Sequence, residues 1–338
     1  MGLRVLGQDV PVGAEAMQRV IFWMLTLFLA MFSLVAVAQI EEIDTDFRQL
    51  EPAEEQRLRA ILAAPVPERA LYVTLRSHFR AKDEAAVRLG DDAAREATLR
   101  EQVRLVPSST AQRNLGVTLL RRGEIEEGNA YLRDALRNAP NASQRAYSTT
   151  LLAREMYLQF SDAAARDLIL SARGPIREVE AFAISNYNQT QIPSLRMVVN
   201  RCESSLAITQ SLMEQRSGHY AKAVYAALEA ERYARQALRD SWSTASGNIE
   251  QTYIAGDLGA ALEQRVQAQI AGAQFSAAAK SIADYVRLSN ELQLHPGFKA
   301  NAYRLASGLR FSQREFIQAE DLVRRSGQLK ESVPPVPI

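Results

Sequence analysis

Leu99-Arg100-Glu101-Gln102-Val103-Arg104-Leu105-Val106-Pro107 and Leu132-Arg133-Asp134-Ala135-Leu136-Arg137-Asn138-Ala139-Pro140 are two versions of one segment, 33 residues apart. Each opens on leucine and arginine and stops at proline. The same offset continues upstream, where Gly90 pairs with Gly123 and Arg80 with Arg113. A period of this length is the spacing of stacked helical hairpins. Such units cannot bury an apolar face alone and need neighbours.

The physics inside the second unit agrees. Leu115 and Leu119, then Leu132 and Leu136, stand four apart and form apolar stripes on two helices. Gly116 and Gly128 remove side chains where the helices of a hairpin approach. Gly123 suits the turn between them. Pro140 lacks an N–H and stops the second helix. The composition favours helix throughout: alanine, leucine, arginine, glutamate and glutamine abound, against 16 glycines and 12 prolines in 338 residues.

Residues 109–140 resemble the tetratricopeptide repeat (TPR) family, whose unit is about 34 residues long. Leu115-Gly116 match its leucine–glycine pair and Leu119 the next apolar position. Gly128, Leu132 and Ala135 match the small–large–small series of the second helix, and Pro140 its final proline. Gln112 stands where the family has an aromatic residue. In residues 76–107 Gly90, Leu99 and Pro107 fit, while the first helix departs from the pattern.

The resemblance implies an all-α fold, a TPR-like α-α superhelix (a helical hairpin solenoid) of roughly twelve to fourteen helices. It also implies a binding scaffold for a protein or peptide. On the groove side of the first helices the family's pattern places Arg80, Arg113 and, near the end, Arg304, with Asn114 beside Arg113. By the same resemblance these four residues form a clamp for an anionic peptide end, through charge-assisted hydrogen bonds.

Weaker matches follow at residues 145–175, ending in a Gly174-Pro175 stop, and at 204–237, 259–290 and 300–327. That makes two clear repeats and about four degenerate ones. The polar runs Ser185–Pro193 (SNYNQTQIP) and Ser241–Gly259 (SWSTASGNIEQTYIAGDLG) read as long loops. The repeat domain is therefore expected over 45–328, as one array or as sub-arrays 45–184 and 194–328. The tail 329–338, with three prolines, reads as extended or disordered.

Val20 to Ala38 is a run of nineteen uncharged, mostly apolar residues preceded by Arg19 and followed by Glu41, Glu42, Asp44 and Asp46. It ends in Ala36-Val37-Ala38. Residues 1–38 thus read as a secretory signal peptide cleaved before Gln39, with Met1 or Met17 as the start. The alternative is an uncleaved inner-membrane anchor, the only membrane contact expected. Both place the rest of the chain in the periplasm, because the positive flank stays inside.

Charge and side-chain chemistry narrow the function classes. A net charge of +1, from 40 basic and 39 acidic residues, lacks the basic excess of a nucleic-acid binder. One cysteine, Cys202, excludes an internal disulfide and reads as a buried, inert thiol. His78, His219 and His295 have no ligand partners at metal spacing, so no metal and no cofactor are expected. His219 reads as a surface residue of a hairpin turn. Tyr225 and Tyr233 read as packing between repeats. No phosphate loop or nucleophile elbow occurs, so no catalytic residue is named.

The expectation is a non-enzymatic scaffold of the bacterial cell envelope, in secretion, surface-polymer export or envelope assembly. A homo-oligomer built through the degenerate repeats is a further possibility. The competing reading is a periplasmic enzyme or polysaccharide-binding protein acting on cell-wall glycan. It would need a carboxylate such as Glu155 or Glu180 in an apolar cleft.

Overall fold

The computed structural model describes residues 50–159, 161–185, 192–242, 248–292 and 296–331. Residues 1–38, expected to direct export, the middle of SNYNQTQIP, residues 243–247, His295 and residues 332–338 lie outside the described residues. Among the described residues the chain is all-α, with thirteen helices and no strand. Helix α1 (Pro52–Ala63) precedes six helical hairpins. These are α2 (Tyr72–Leu89) with α3 (Asp92–Leu105), α4 (Ser109–Arg121) with α5 (Ile125–Arg137), and α6 (Ala142–Leu158) with α7 (Asp162–Ser185). They continue as α8 (Ile192–Arg216) with α9 (Tyr220–Trp242), α10 (Asn248–Ala271) with α11 (Phe275–Glu291), and α12 (Pro296–Ser312) with α13 (Phe316–Glu331).

All six hairpins turn by one hydrogen bond. The residue just before the second helix donates its N–H to the carbonyl five residues back: Asp91 to Ala86, Glu124 to Leu119, Ser161 to Met156, His219 to Glu214, Gln274 to Gln269 and Glu315 to Arg310. In five hairpins the residue before it donates three back, as Gly90 does to Val87 and Gly123 to Leu120. Together these bonds satisfy carbonyls left open at the end of the first helix. The geometry puts the middle residue in the left-handed region, at φ 69° for Gly90, 86° for Gly123, 77° for Gly218, 55° for Ala273 and 66° for Arg314.

The turn also fixes the register inside the hairpin. Six residues either side of it, small or polar pairs meet. The Ser211 hydroxyl donates to the Ala223 carbonyl at 2.7 Å, and Ser307 to Ala319 at 2.8 Å. Asp83 and Arg95 fill the same place with a buried ion pair at 2.8 Å. Farther out, Ser109 donates to Ala135 O at 2.7 Å and Ser204 to Ala230 O at 2.9 Å. Each buried hydroxyl is thereby satisfied while the two backbones stay close.

Packing is sequential. Every substantial helix–helix contact joins a helix to its chain neighbour or to the one after that. The contacts that skip a helix run α4–α6–α8–α10–α12, so the first helices of successive hairpins touch one another in series. The core is divided accordingly into small clusters. Leu99, Leu115 and Leu119 make one, and Leu58, Leu62, Ala85, Ala86 and Leu89 another. The largest runs from Met197 to Leu309. In α9, Ala223, Ala227, Ala230, Ala234 and Ala237 are buried, and their small side chains let α8 and α10 close on both sides.

Three sequence expectations are corrected. Gly174-Pro175 does not stop a helix, because α7 runs through it to Ser185. Pro175 removes the N–H that would reach the Ser171 carbonyl, but Ala172 and Ile176 are buried with Cys202 and Leu206 of α8, and that packing holds the helix. The stretch Ser241–Gly259 is not one long loop, since α9 extends to Trp242 and α10 begins at Asn248. Ile254, Leu258 and Leu262 stand four apart and are fully buried, which carries the helix through Gly256 and Gly259. The tail begins later than expected, because α13 extends to Glu331.

Candidate functional site

Three of the four residues expected to form a clamp are bonded to different neighbours. Arg80 is exposed on α2. Arg113, on α4, is only 8% exposed; its Nη1 donates to Gln144 Oε1 of α6 at 2.7 Å, and its guanidinium lies 4.6 Å from the Tyr147 ring centre. Asn114 faces the other neighbour, with Nδ2 donating to Asp83 Oδ2 of α2 at 3.4 Å. Arg304 sits far along the chain on α12 and pairs with Glu263 of α10.

The repeat-marking residues serve the hairpins. Gly90 and Gly123 occupy turns, Leu99, Leu115, Leu119, Leu132 and Ala135 are fully buried, and Gly116 meets Gly128 at the α4–α5 crossing. Pro107 and Pro140 each precede a helix cap. The Ser108 hydroxyl accepts from Ala111 N, and the Asn141 carbonyl oxygen from Gln144 N.

The fold instead builds a guanidinium-rich face across four first helices. Gln144, Tyr147 and Arg154 follow one face of α6 at spacings of three and seven residues. Arg201 of α8 donates from Nε to Asp257 Oδ2 of α10 at 2.6 Å and from Nη2 to the Tyr147 hydroxyl at 2.5 Å. Its guanidinium also lies 4.4 Å from the Tyr147 ring centre, so two arginines flank one tyrosine. Each such stack contributes about 1 kcal/mol when partly desolvated. Arg154 pairs with Glu155 at 3.1 Å.

Electrostatics separates these arginines into two kinds. Burial opposes the charge on Arg201, but Asp257 and the other groups around it together outweigh burial and hold the guanidinium firmly protonated. Arg113 has no such carboxylate. Burial lowers its pKa, and its Nε is buried without a hydrogen-bond partner. Arg121, in the last turn of α4, is likewise shifted down, by surrounding protein first and then by Arg95 and Arg154. Its side chain is open to water. Both guanidiniums stay charged at neutral pH. Burial pushes the Tyr147 hydroxyl up, keeping it a neutral donor and acceptor.

No protein-family model matches this chain, and no curated protein matches it.

The remaining sequence candidates stand apart from this face. Cys202 is fully buried, and burial pushes its thiol up to about 12. His219 is exposed in its turn and bonds Glu214 at 2.9 Å through Nδ1. Tyr225 does not pack between hairpins; it is 68% exposed on α9. Glu180 is exposed, and Glu155 is occupied by Arg154 rather than set in an apolar pocket. Among the described residues no three His, Cys, Asp or Glu side chains gather as metal ligands. No described helix is long and apolar enough to cross a membrane.

Sequence reasoning singled out Arg113 but missed Arg121, Gln144, Tyr147, Arg154, Arg201 and Asp257. The Gln144–Tyr147–Arg154 spacing was a readable signal of one helix face. The Arg201–Asp257 pair, 56 residues apart, was not.

Proposed function

We propose that this chain is a TPR-like α-α solenoid working as a protein-binding scaffold in the periplasm of a bacterial envelope. The observation that carries the reading is the repetition of one hairpin. Six hairpins share the same turn bond, and the first helices of the last five touch in series. Arrays of this kind present a long shared face to extended or helical partners. Here that face carries Arg113, Arg121, Tyr147, Arg154 and Arg201 on neighbouring helices. Export rests on the Val20–Ala38 run and its Ala36-Val37-Ala38 ending.

The test is capture from envelope extract with the chain tagged at its C-terminus and bound proteins read by mass spectrometry. A reproducible envelope protein, lost when Tyr147→Ala and Arg121→Gln are combined, supports the scaffold and its face. Retention of cell-wall glycan with no protein overturns it in favour of a polysaccharide-binding role. Cell fractionation tests export separately: accumulation of the chain in the cytoplasm removes the envelope assignment.

A further inference from the structure

Eight residues after the turn donor, the six second helices carry Leu99, Leu132, Ile169, Ala227, Ile282 and Val323. Leu99 clusters with Leu115 and Leu119 of α4, Leu132 with Leu152 and Met156 of α6, and Ile169 with Cys202 and Leu206 of α8. Ile282 shares its cluster with Leu305 and Leu309 of α12. In each case the first helix of the next hairpin supplies cover. Leu99, Leu132, Ala227 and Ile282 are fully buried, whereas Val323 is 57% exposed. Phe275, beside its turn, packs on the core, and Phe316 at the same place in α13 is 56% exposed. The last hairpin thus keeps the stacking residues of an internal one, where a polar outer face is what ends an array in water.

The open face has a definite shape. Phe316, Glu320, Val323 and Gly327 are all exposed and follow one stripe of α13 at spacings of four, three and four. Across the turn the Phe311 ring of α12 meets Phe316 edge-on, 5.4 Å between centres, and is 64% exposed. A Cβ built at Gly327, or at Gly308 of α12, would meet nothing within 4 Å. The two helices have 17 and 16 residues. Such helices are about 25 Å long and two abreast span about 20 Å, an outline of about 500 Å² before side-chain relief is counted. A stable dimer hides about 600–1,000 Å² of accessible surface on each copy, which is the same order. The seven residues 332–338 are too few for this face: an extended strand of that length is about 23 Å long and about 5 Å broad, and covers about a quarter of it.

We propose that the outer face of the α12–α13 hairpin binds a second copy of this chain, end to end about a two-fold axis. The same patch then serves both copies, and the two α13 helices run antiparallel. Val323 of one copy sits over Gly327 of the other, where the missing side chain admits it. That register brings Glu320 opposite residue 330, a lysine in the sequence, so unlike charges meet. The contact goes beyond the scaffold reading and stands without the arginine face.

The experiment is cross-linking in cells that make the full chain with Val323→Cys. Cys202 is buried and stays silent. Four residues of helix rise and one helix–helix spacing put the two introduced thiols about 10 Å apart, within reach of a short bismaleimide. A band at twice the mass is expected, and none from Tyr225→Cys, whose side chain is exposed on α9. Adding Phe316→Glu, which forces an unpaired charge into the contact, should cut the dimer at least about tenfold. Gly327→Gln should act alike, and its side chain enters open space in a single copy, so the fold is spared. No dimer from Val323→Cys, an equal band from Tyr225→Cys, or a band untouched by both added substitutions overturns the proposal. A band that forms only once residues 332–338 are removed gives the face to the chain's own tail and overturns it too. So does a band that joins the chain to a different protein. Failure to capture any envelope protein sinks the scaffold and leaves a dimer seen here standing.

Discussion

A Cβ added at Gly116 would lie 2.8 Å from the Gly128 carbonyl oxygen and 3.0 Å from Leu132 Cγ. One added at Gly128 would meet Leu120 Cγ at 2.7 Å. The backbone oxygen cannot swing aside as a side chain can, so Gly116→Ala must part α4 from α5. We expect a loss of about 1–3 kcal/mol, measured as a lower urea midpoint; an unchanged midpoint would show that the crossing is loosely packed.

Cys202 makes a second prediction at this scale. The unfolded thiol ionises near its ordinary value of 9.0, while burial holds the folded thiol protonated up to about 12. The native thiol should not react with a disulfide reagent at pH 8, and should react fully in denaturant. Above the ordinary thiol value the unfolded state loses its proton first. This group's contribution to stability is therefore constant at lower pH and falls as pH rises from about 9 towards 12. Thermal melts of wild type and Cys202→Ser across that range check the sign.

At the scale of elements, the turn is the most informative unit. Glycine takes the left-handed position at Gly90, Gly123 and Gly218, while Ala273 and Arg314 take it with a Cβ present. A left-handed non-glycine residue is strained by about 1 kcal/mol. Ala273→Gly and Arg314→Gly should therefore each stabilise by up to about 1 kcal/mol, less the entropy glycine adds to the unfolded chain. A fall in melting temperature for both would mean that the turn is not the hydrogen-bonded one described. These two turns were hidden because a search for glycine finds only the sites where sequence relieved the strain. Pro175 misled for the opposite reason: a local stop signal was overruled by packing on both sides of it.

Across the whole molecule, helix length explains why periodicity fades. The turn donors Asp91, Glu124, Ser161, His219, Gln274 and Glu315 are spaced 33, 37, 58, 55 and 41 residues apart. Helices α4 and α5 have 13 residues each, whereas α7 to α10 have 23 to 25. Residues added at the far ends of the helices leave the turn intact and destroy the repeat spacing. Because contacts are sequential, damage should stay local. Leu99→Ala, which empties part of the Leu99–Leu115–Leu119 cluster, should cost about 2–5 kcal/mol there. Hydrogen exchange should then quicken over α2–α5 while the Ile254–Leu309 core is unaffected. Uniform loss of protection along the chain would argue for one cooperative unit.

By itself the sequence determined that the chain is helical and where its first two hairpins turn. Helix propensity, glycine at a left-handed position and i, i+4 leucines are local properties, and two adjacent hairpins kept a common length. Only the tertiary structure decided that α7 continues through Pro175, that α10 begins at Asn248, and that Ala273 and Arg314 accept a strained turn. It alone assembled Arg113, Tyr147, Arg201 and Asp257 from four helices. Burial and pairing across long separations supply the energy for each of these choices, and no local pattern records which distant side chain will be the partner.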